Sequence, residues 1–373
     1  MKVVVACDSF KGSISSTELN ECISKALHTT SKNCSVYTMP IGDGGEGTLE
    51  SLMTLFNSEI IKCEAHDPLM NIITAEYAIC GDFCIIEMAK ISGLVLVPDT
   101  LRNPLKTTTY GLGELISDAL KRNIRKFVIG IGGSATNDGG CGMLRALGAK
   151  YYDENGKELI GGGEILAKIR SIDLAHFNKG LKDSTFTIAC DVNNPMCGPN
   201  GASFVYGFQK GATMESAKIL DNGMLNYGTL LQRLVQKPIL EYPGSGAAGG
   251  IGGAFLALFN SELKSGIDLV LDLTNFEEII RDANLVITGE GKIDEQSFMG
   301  KVLGGILKRT KLKRCKVVAL CGCNDLPLNY PVDSKLSIFS IQNGPIDLHS
   351  AMKEETVKEN VQRLIPNIMK LLI

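Results

Sequence analysis

The chain has 373 residues, 44% of them apolar, which is enough to fill the cores of two or three domains. Its 38 basic and 41 acidic residues leave a formal net charge of -3, so no general basic excess draws it to nucleic acid or anionic lipid. Twelve cysteines follow no repeated metal spacing, and Cys321-Gly-Cys323 is one residue short of the redox C-x-x-C pattern, so reduced thiols in a cytoplasmic protein are expected.

The first segment reads as strand, loop and helix. "KVVVA" is followed by "CDSFKGS" and by a helix opening at Ser15 or Ser16, with Glu18 placed to cap it and Leu19, Ile23, Ala26 and Leu27 on one face. A second strand, "SVYTMPI" (Ser35 to Ile41), runs into "GDGGEGT". A helix carrying Leu49, Leu52, Met53 and Phe56 follows, and "EIIKCEA" (Glu59 to Ala65) is expected as a third strand. This order fits a parallel sheet whose ligand edge lies at the strand C-termini. From Asp67 the texture changes: "IITAEYAIC" and "FCIIEMA" read as antiparallel neighbours joined at Gly81-Asp82.

Helical spacing over Gly113 to Leu120, the strand "KFVI" (Lys126 to Ile129) and a helix from Cys141 to Leu147 keep the α/β character. "STFTIACDV" (Ser184 to Val192) is a strand ending on an acid, and Met214 to Gln236 is helical. A glycine-rich loop from Gly244 to Gly253 leads to an apolar helix, Ala254 to Phe259, too short to cross a bilayer. "ANLVITGEGKIDEQS" returns to strand and glycine loop. A helix from Val302, strands "KVVAL" and "KLSIFSI", and a helix from Lys353 to Leu364 complete the chain. The reading is a discontinuous parallel-sheet α/β domain from residues 1–66 and 281–373, with a second α/β domain inserted at 67–280.

"GIGGSATNDGG" (Gly130 to Gly140) fits the dinucleotide fingerprint through Gly130, Gly132 and Ala135. Its context argues against a nicotinamide site. The motif is central, Asp153 and Glu154 stand beside an Asn155-Gly156 turn, and Asp138 would repel a pyrophosphate. No segment matches the P-loop, the protein-kinase set, H-E-x-x-H or G-x-S-x-G. The four histidines, His28, His66, His176 and His349, are expected in structural or surface roles.

Loops of related chemistry recur instead: "CDSFKGS", "GDGGEGT", "GGSATNDGG", "CDVNNPMCGPNGA" (Cys190 to Ala202), "PGSGAAGG" (Pro243 to Gly250) and "GEGKIDEQS" (Gly289 to Ser297). Phosphoryl transfer asks for carboxylates that hold magnesium and orient a hydroxyl, for lysines near the moving oxygens, and for glycines that expose N–H groups to phosphate. Asp8, Asp43, Asp191 and Asp294 are candidate metal ligands or base, and Lys11 and Lys292 candidate clamps. Each has a structural alternative: Asp8 can cap the next helix, Asp43 can brace its turn, Lys292 can be a solvated loop lysine, and "DVNNP" can be an Asx-turn. The spread of these loops over both domains places the expected site in the cleft between them.

The ordered set of loops closely resembles the bacterial-type glycerate kinase family, in the form labelled glycerate kinase type 1, and covers nearly the whole chain. Two positions depart from the family's pattern: Phe208 stands where proline is usual, and Ser297 where threonine is frequent. The resemblance implies a Rossmann-like domain built from both chain ends and ATP-dependent phosphorylation of D-glycerate, commonly to 2-phosphoglycerate, with ATP and Mg2+ required. It implies Asp191 as the residue that orients or deprotonates the acceptor hydroxyl, with Asp294 and Asp43 as second choices for that role, and all three as magnesium ligands. Lys11 is assigned to phosphate or to the glycerate carboxylate. Lys292, Gly289, Gly291, Gly246 and Gly249 are assigned to the nucleotide, and Asp8, Ser134, Asn137, Asp138 and Asn194 to the substrate. A kinase for another small hydroxy or sugar acid and, further off, a nicotinamide-dependent dehydrogenase are the alternatives. Neither nucleic acid nor membrane is expected as a partner, and the sequence assigns no oligomeric state.

Overall fold

The computed structural model describes residues 1–31, 33–42, 52 and 56–372. Asp43 to Thr48 of the "GDGGEGT" segment lie outside the described residues, as do Leu49 and Met53 of the helix expected there. The described strands in chain order are β1 (Lys2–Cys7), β2 (Ser35–Thr38), β3 (Glu59–His66), β4 (Ile72–Cys80), β5 (Phe83–Glu87), β6 (Lys126–Gly130), β7 (Lys150–Tyr152), β8 (Ser171–Asp173), β9 (Thr185–Ala189), β10 (Asn260–Lys264), β11 (Leu285–Ile293), β12 (Lys316–Asn324) and β13 (Leu336–Ser340). They divide between two compact units, Met1–Leu52 with Ser265–Ile373, and Met53–Lys264.

The first unit is a five-stranded sheet in the order β13-β12-β11-β1-β2, with every pair parallel. Val3, Val4 and Val5 of β1 are all fully buried, because a parallel sheet is covered on both faces and its strands are apolar throughout. On one face the helices Ser16–Thr30 and Glu354–Leu372 pack together through Leu19, Ile23 and Leu27 with Val361, Ile365 and Ile368. Ser15 caps the first of these helices, accepting the Glu18 N–H at 3.2 Å. Counted along the chain within this unit, the strands lie 2-1-3-4-5, so the winding direction reverses between β1 and β11. A ligand crevice forms at such a reversal, outside the strand C-termini.

The second unit holds a six-stranded sheet in the order β10-β9-β6-β5-β4-β3, plus the hairpin β7-β8. β10, β9, β6 and β5 are parallel, and β4 returns antiparallel through a turn in which Gly81 has φ +64°. β3, expected beside the first two strands, instead pairs antiparallel with β4 along its whole length, from Glu59 to His66. The alternating apolar pattern of β4 offers β3 an antiparallel edge with no need for a crossover. β7, β8 and β10 were not expected; they are short or mainly polar. "GEGKI", expected as a loop, is the second half of β11, where Glu290 pairs with Cys321 and Lys292 with Cys323 of β12.

The core of the second unit centres on Phe127 and Phe186, direct cross-strand partners whose rings stack at 4.5 Å between centroids. Phe255 and Phe259 close on Phe186 from the helix Ala247–Leu258 and its end. Among the described residues no helix is long and apolar enough to cross a membrane. Phe186→Ala is expected to lower the urea-unfolding free energy by about 3–5 kcal/mol through the cavity it leaves. A loss below about 1 kcal/mol would mean the ring cluster does not organise this core.

Candidate functional site

β1 delivers Asp8 to the reversal point. The end of the strand is fixed by Asn20, a fully buried helix residue that accepts the Cys7 N–H at 3.0 Å and donates to the Cys7 carbonyl at 2.9 Å. The Asp8 N–H donates to the Gly289 carbonyl at 3.0 Å, and the Asp8 Oδ1 accepts the Ser9 N–H at 2.7 Å. The chain then turns tightly, with Phe10 and Ile14 exchanging backbone hydrogen bonds and Gly12 at φ +76°. A Cβ on Gly12 would lie 3.0 Å from the Met352 methyl, so this turn is a close approach as well as a left-handed one.

Across the reversal stands the polar half of β11. Gly289 is packed so closely that a Cβ would come within 2.6 Å of the Leu320 carbonyl, whereas a Cβ on Gly291 would come no closer than 3.4 Å, to the Phe10 Cα. The Glu290 carboxylate accepts the Ser297 hydroxyl at 2.9 Å and the Leu303 N–H at 3.1 Å, which ties β11 to the N-terminus of the helix Val302–Thr310. Ser297 thus uses the one group it shares with threonine. The Lys292 ammonium lies 2.7 Å from Asp325 and 3.9 Å from Asp294, and its hydrogen bond to Asp325 holds its pKa above the usual lysine range. Asp294 also caps the short helix Glu295–Phe298, accepting the Gln296 N–H at 3.0 Å.

These elements enclose a cavity of about 660 Å³ at the C-terminal ends of β1, β11, β12 and β13. Asp8, Lys11, Glu290, Gly291 and Lys292 line it together, joined by Lys301. Its size is that of a small-molecule site, which runs from about 300 to 1,000 Å³. Among the described residues no three His, Cys, Asp or Glu side chains gather into a ready-made metal centre.

In the second unit the Gly130 to Gly140 segment does something other than cradle a dinucleotide. Ser134, Thr136, Asn137 and Asp138 are all buried, and only Gly132 and Gly133 stand exposed at its tip. Several of the loop's backbone groups are paired: Ala135 donates to the Ser92 carbonyl at 2.9 Å, Gly139 to the Gly249 carbonyl at 2.9 Å, and the Gly133 carbonyl accepts from Leu94. Asp138 gathers donors from two helix starts. Its Oδ2 accepts from the Thr109 N–H and hydroxyl at 2.8 and 2.9 Å and from the Gly142 N–H at 3.2 Å, and its Oδ1 from the Gly140 N–H at 3.0 Å. The Asn137 amide donates to the Ser203 hydroxyl at 2.8 Å. Asp153 sits in a turn, accepting the Asn155 and Lys157 N–H groups at 2.9 Å, and not at a ribose position.

Asp191 lies two residues past the end of β9 and is exposed. Asn194 is engaged in its own loop, donating to the Asn200 carbonyl at 2.8 Å and accepting the Tyr206 hydroxyl at 2.6 Å. Gly246 and Gly249 pack beneath these loops. A Cβ on Gly246 would meet the Pro195 carbonyl at 2.0 Å, and one on Gly249, at φ +76°, the Thr136 carbonyl at 2.1 Å. The glycine run therefore permits close passage of two other loops.

Sequence reading missed Lys210, Glu290 and Asn20. Lys210 is fully buried, and its ammonium donates to the Ser134 hydroxyl and the Thr136 carbonyl, both at 2.7 Å. Burial pulls its pKa down to about 7, against the opposing pull of the Asp138 carboxylate. A lysine framed by Gly207 and Gly211 in "GFQKG" was a signal of sorts, since both glycines are close-packed, but nothing local told it from a solvated turn lysine.

Gly249→Ala is expected to destabilise the protein by about 1–3 kcal/mol, since its φ and its neighbour both oppose a side chain. Gly132→Ala, which meets nothing within 4 Å, should change stability by less than about 0.5 kcal/mol. Equal losses in thermal or urea unfolding would refute the packing role of Gly249. Lys210 gives a pH signature. Between about pH 7 and the ordinary lysine value of 10.5 the unfolded chain holds a proton that the folded chain releases, so stability from this site rises with pH across that window. The stability of the wild type relative to Lys210→Met should therefore improve from neutral to alkaline pH, and a flat difference would show an ordinary lysine.

The sequence signature described as the glycerate kinase family matches residues 3–373. A glycerate kinase of Haemophilus influenzae is 40% identical over 378 aligned positions, covering 100% of this chain and 99% of the relative. The glycerate 2-kinase of Escherichia coli K12 is 43% identical, covering 86% of this chain and 85% of the relative. A crystal structure of a provisionally assigned glycerate kinase 2 from Salmonella typhimurium LT2 superposes with a TM-score of 0.87 at 38% identity, covering 100% of this chain and 98% of that one. The type 1 label expected from the sequence is corrected by these matches, which carry the bacterial-type family and, in the solved relative, the designation glycerate kinase 2. With two α/β units matching that solved fold and a signature spanning the chain, this protein belongs to the glycerate kinase family and is an ATP-dependent enzyme that transfers phosphate to an alcohol group.

Proposed function

We propose that the acceptor is D-glycerate and the product 2-phosphoglycerate, with Mg-ATP as donor. The observation that carries the Mg-ATP donor in this reading is the convergence of Asp8, Lys11, Glu290 and Lys292 on one ligand-sized cavity at the reversal of a parallel sheet, and the likeness to glycerate kinases supports the acceptor. That is the donor set that phosphoryl transfer needs: cations for phosphate oxygens, and hard carboxylate oxygens for a divalent ion. The name of the Escherichia coli relative supports attachment at carbon 2.

Magnesium, when bound with the nucleotide, neutralises charge on the phosphates. Asp8 and Glu290 would hold it through carboxylate oxygens, with Asp43, Asp191 and Asp294 as further candidates. Asp191 takes the proton of the acceptor hydroxyl as its oxygen bonds to the γ-phosphorus and the bond from that phosphorus to the β-phosphate oxygen breaks, leaving ADP. Asp191 is exposed, two residues past the C-terminal end of β9. Lys11 and Lys292 stabilise phosphate charge, and Gly289 and Gly291 allow the backbone to come close to it. Ser134, Asn137 and Asp138 serve substrate binding by holding the loop that ends in Gly132 and Gly133. Asn194, Gly246 and Gly249 set the loop that carries Asp191.

Purified protein incubated with D-glycerate, ATP and magnesium should yield ADP and a phosphoglycerate whose phosphorus couples to the single proton at carbon 2. Folded protein that makes no phosphorylated glycerate would sink the reading, and coupling to the carbon 3 protons would sink its regiochemistry. Asp191→Asn should lower kcat by about 100-fold or more with little change in the KM for ATP; near-normal turnover removes Asp191 as the base.

A further inference from the structure

The cavity of the first unit is divided chemically along the order of its strands. Toward the reversal, behind β1 and β11, it presents Lys11 and Lys292 together with Asp8 and Glu290, with Lys301 beside them, a set of charges suited to phosphates carrying a divalent ion. Toward the sheet edge, in the segment that follows β13, its wall is Ile341, Ile346 and Leu348, and Met352, whose methyl approaches Gly12, carries the apolar surface back toward the turn after β1. In that apolar wall sits Gln342, whose backbone N–H donates to the Ser340 hydroxyl at 3.2 Å while its side-chain Oε1 is buried and meets no donor among the described residues.

Glycerate cannot explain this division. Every carbon of a three-carbon hydroxy acid carries oxygen, and an apolar wall would strip those groups of water without returning a hydrogen bond. A planar base linked to phosphates does explain it, since one end is apolar and carries few polar groups while the other is anionic. We propose that this cavity is the seat of the nucleotide and of its purine in particular, the base lying against the wall behind β13 with its exocyclic amine donating to Gln342 Oε1, and the phosphates reaching Lys11, Lys292 and Lys301. The inference rests on the proposed Mg-ATP-dependent reaction for its donor, and assigns to the first unit the nucleotide and not the acceptor.

Ile346 is half exposed, at 49%, so a charge there is tolerated by the fold while it spoils the wall. Ile346→Asp should weaken ADP binding in calorimetry, and raise the KM for ATP, by about ten-fold or more, with the KM for glycerate held within about two-fold. Gln342→Leu should narrow the preference for ATP over GTP, because guanine carries a carbonyl oxygen at the ring carbon where adenine carries the amine, and an acceptor there favours adenine. Circular dichroism of each variant establishes that it is folded. If Ile346→Asp raises the KM for glycerate and leaves ADP binding unchanged, the assignment is overturned; it is overturned equally if folded wild-type protein binds no ADP. Wild-type protein that binds ADP through Ile346 yet leaves glycerate unphosphorylated would retain this site and reject glycerate as the acceptor.

Discussion

The parallel pairing of β1 with β11 is the constraint from which the chemistry of the first unit follows. Val3 to Cys7 lie against Leu285 to Gly289, so two stretches from opposite ends of the chain become neighbours and the Asp8 N–H is bonded to the Gly289 carbonyl. That single register sets Asp8 and Lys11 across from Glu290 and Lys292. A slip of one residue would turn every side chain of β1 to the other face. Asn20 guards against it by holding both polar groups of the Cys7 peptide, and Glu290 holds the far side by joining β11 to the following helix. The polar groups that line the cavity are therefore fixed by the same bonds that close the sheet.

The second unit solves a different problem. Its Gly130 to Gly140 loop runs through the interior, where an unpaired carboxylate or ammonium would be costly. Asp138 and Lys210 meet that cost in different ways. Asp138 collects backbone and hydroxyl donors from two helix starts. Lys210 has only a hydroxyl and a carbonyl to bond, and desolvation outweighs the attraction of Asp138, which draws its ammonium toward neutrality near pH 7. The result is a loop whose exposed tip is two glycines and whose buried part is rigidly braced.

Much of this was legible in the sequence because the period of the apolar residues was clean. "KVVVA", "IITAEYAIC" and the capped helix after Ser15 appear where their patterns put them. What failed did so for physical reasons. The polar end of β11 looked like a loop because Gly289, Glu290 and Lys292 break the apolar run, yet β12 supplies a long enough partner to extend the ladder. The partner of β3 was invisible because pairing is a property of the sheet and not of one segment. At the site, residue type alone identified Asp8, Lys11 and Lys292, all of which face the cavity. Residue type did not separate groups that line the cavity from groups bonded inside a loop, so Asn137 and Asp138 read the same way as Asp8. It missed Glu290 and Lys210 because their roles depend on burial.

The pairing of β1 with β11 also orders events during synthesis. The segment Met53–Lys264 contains every strand of its own sheet and can condense as soon as it has emerged from the ribosome. β1 cannot: its partner on one edge lies beyond residue 284, and the helix that packs on its own helix ends at Leu372. The first strand of this chain, four of its six residues being valine or alanine, is thus the last to be closed on that edge. Translation of more than two hundred residues separates its appearance from its burial, and that interval is when the nascent protein is most open to misassembly.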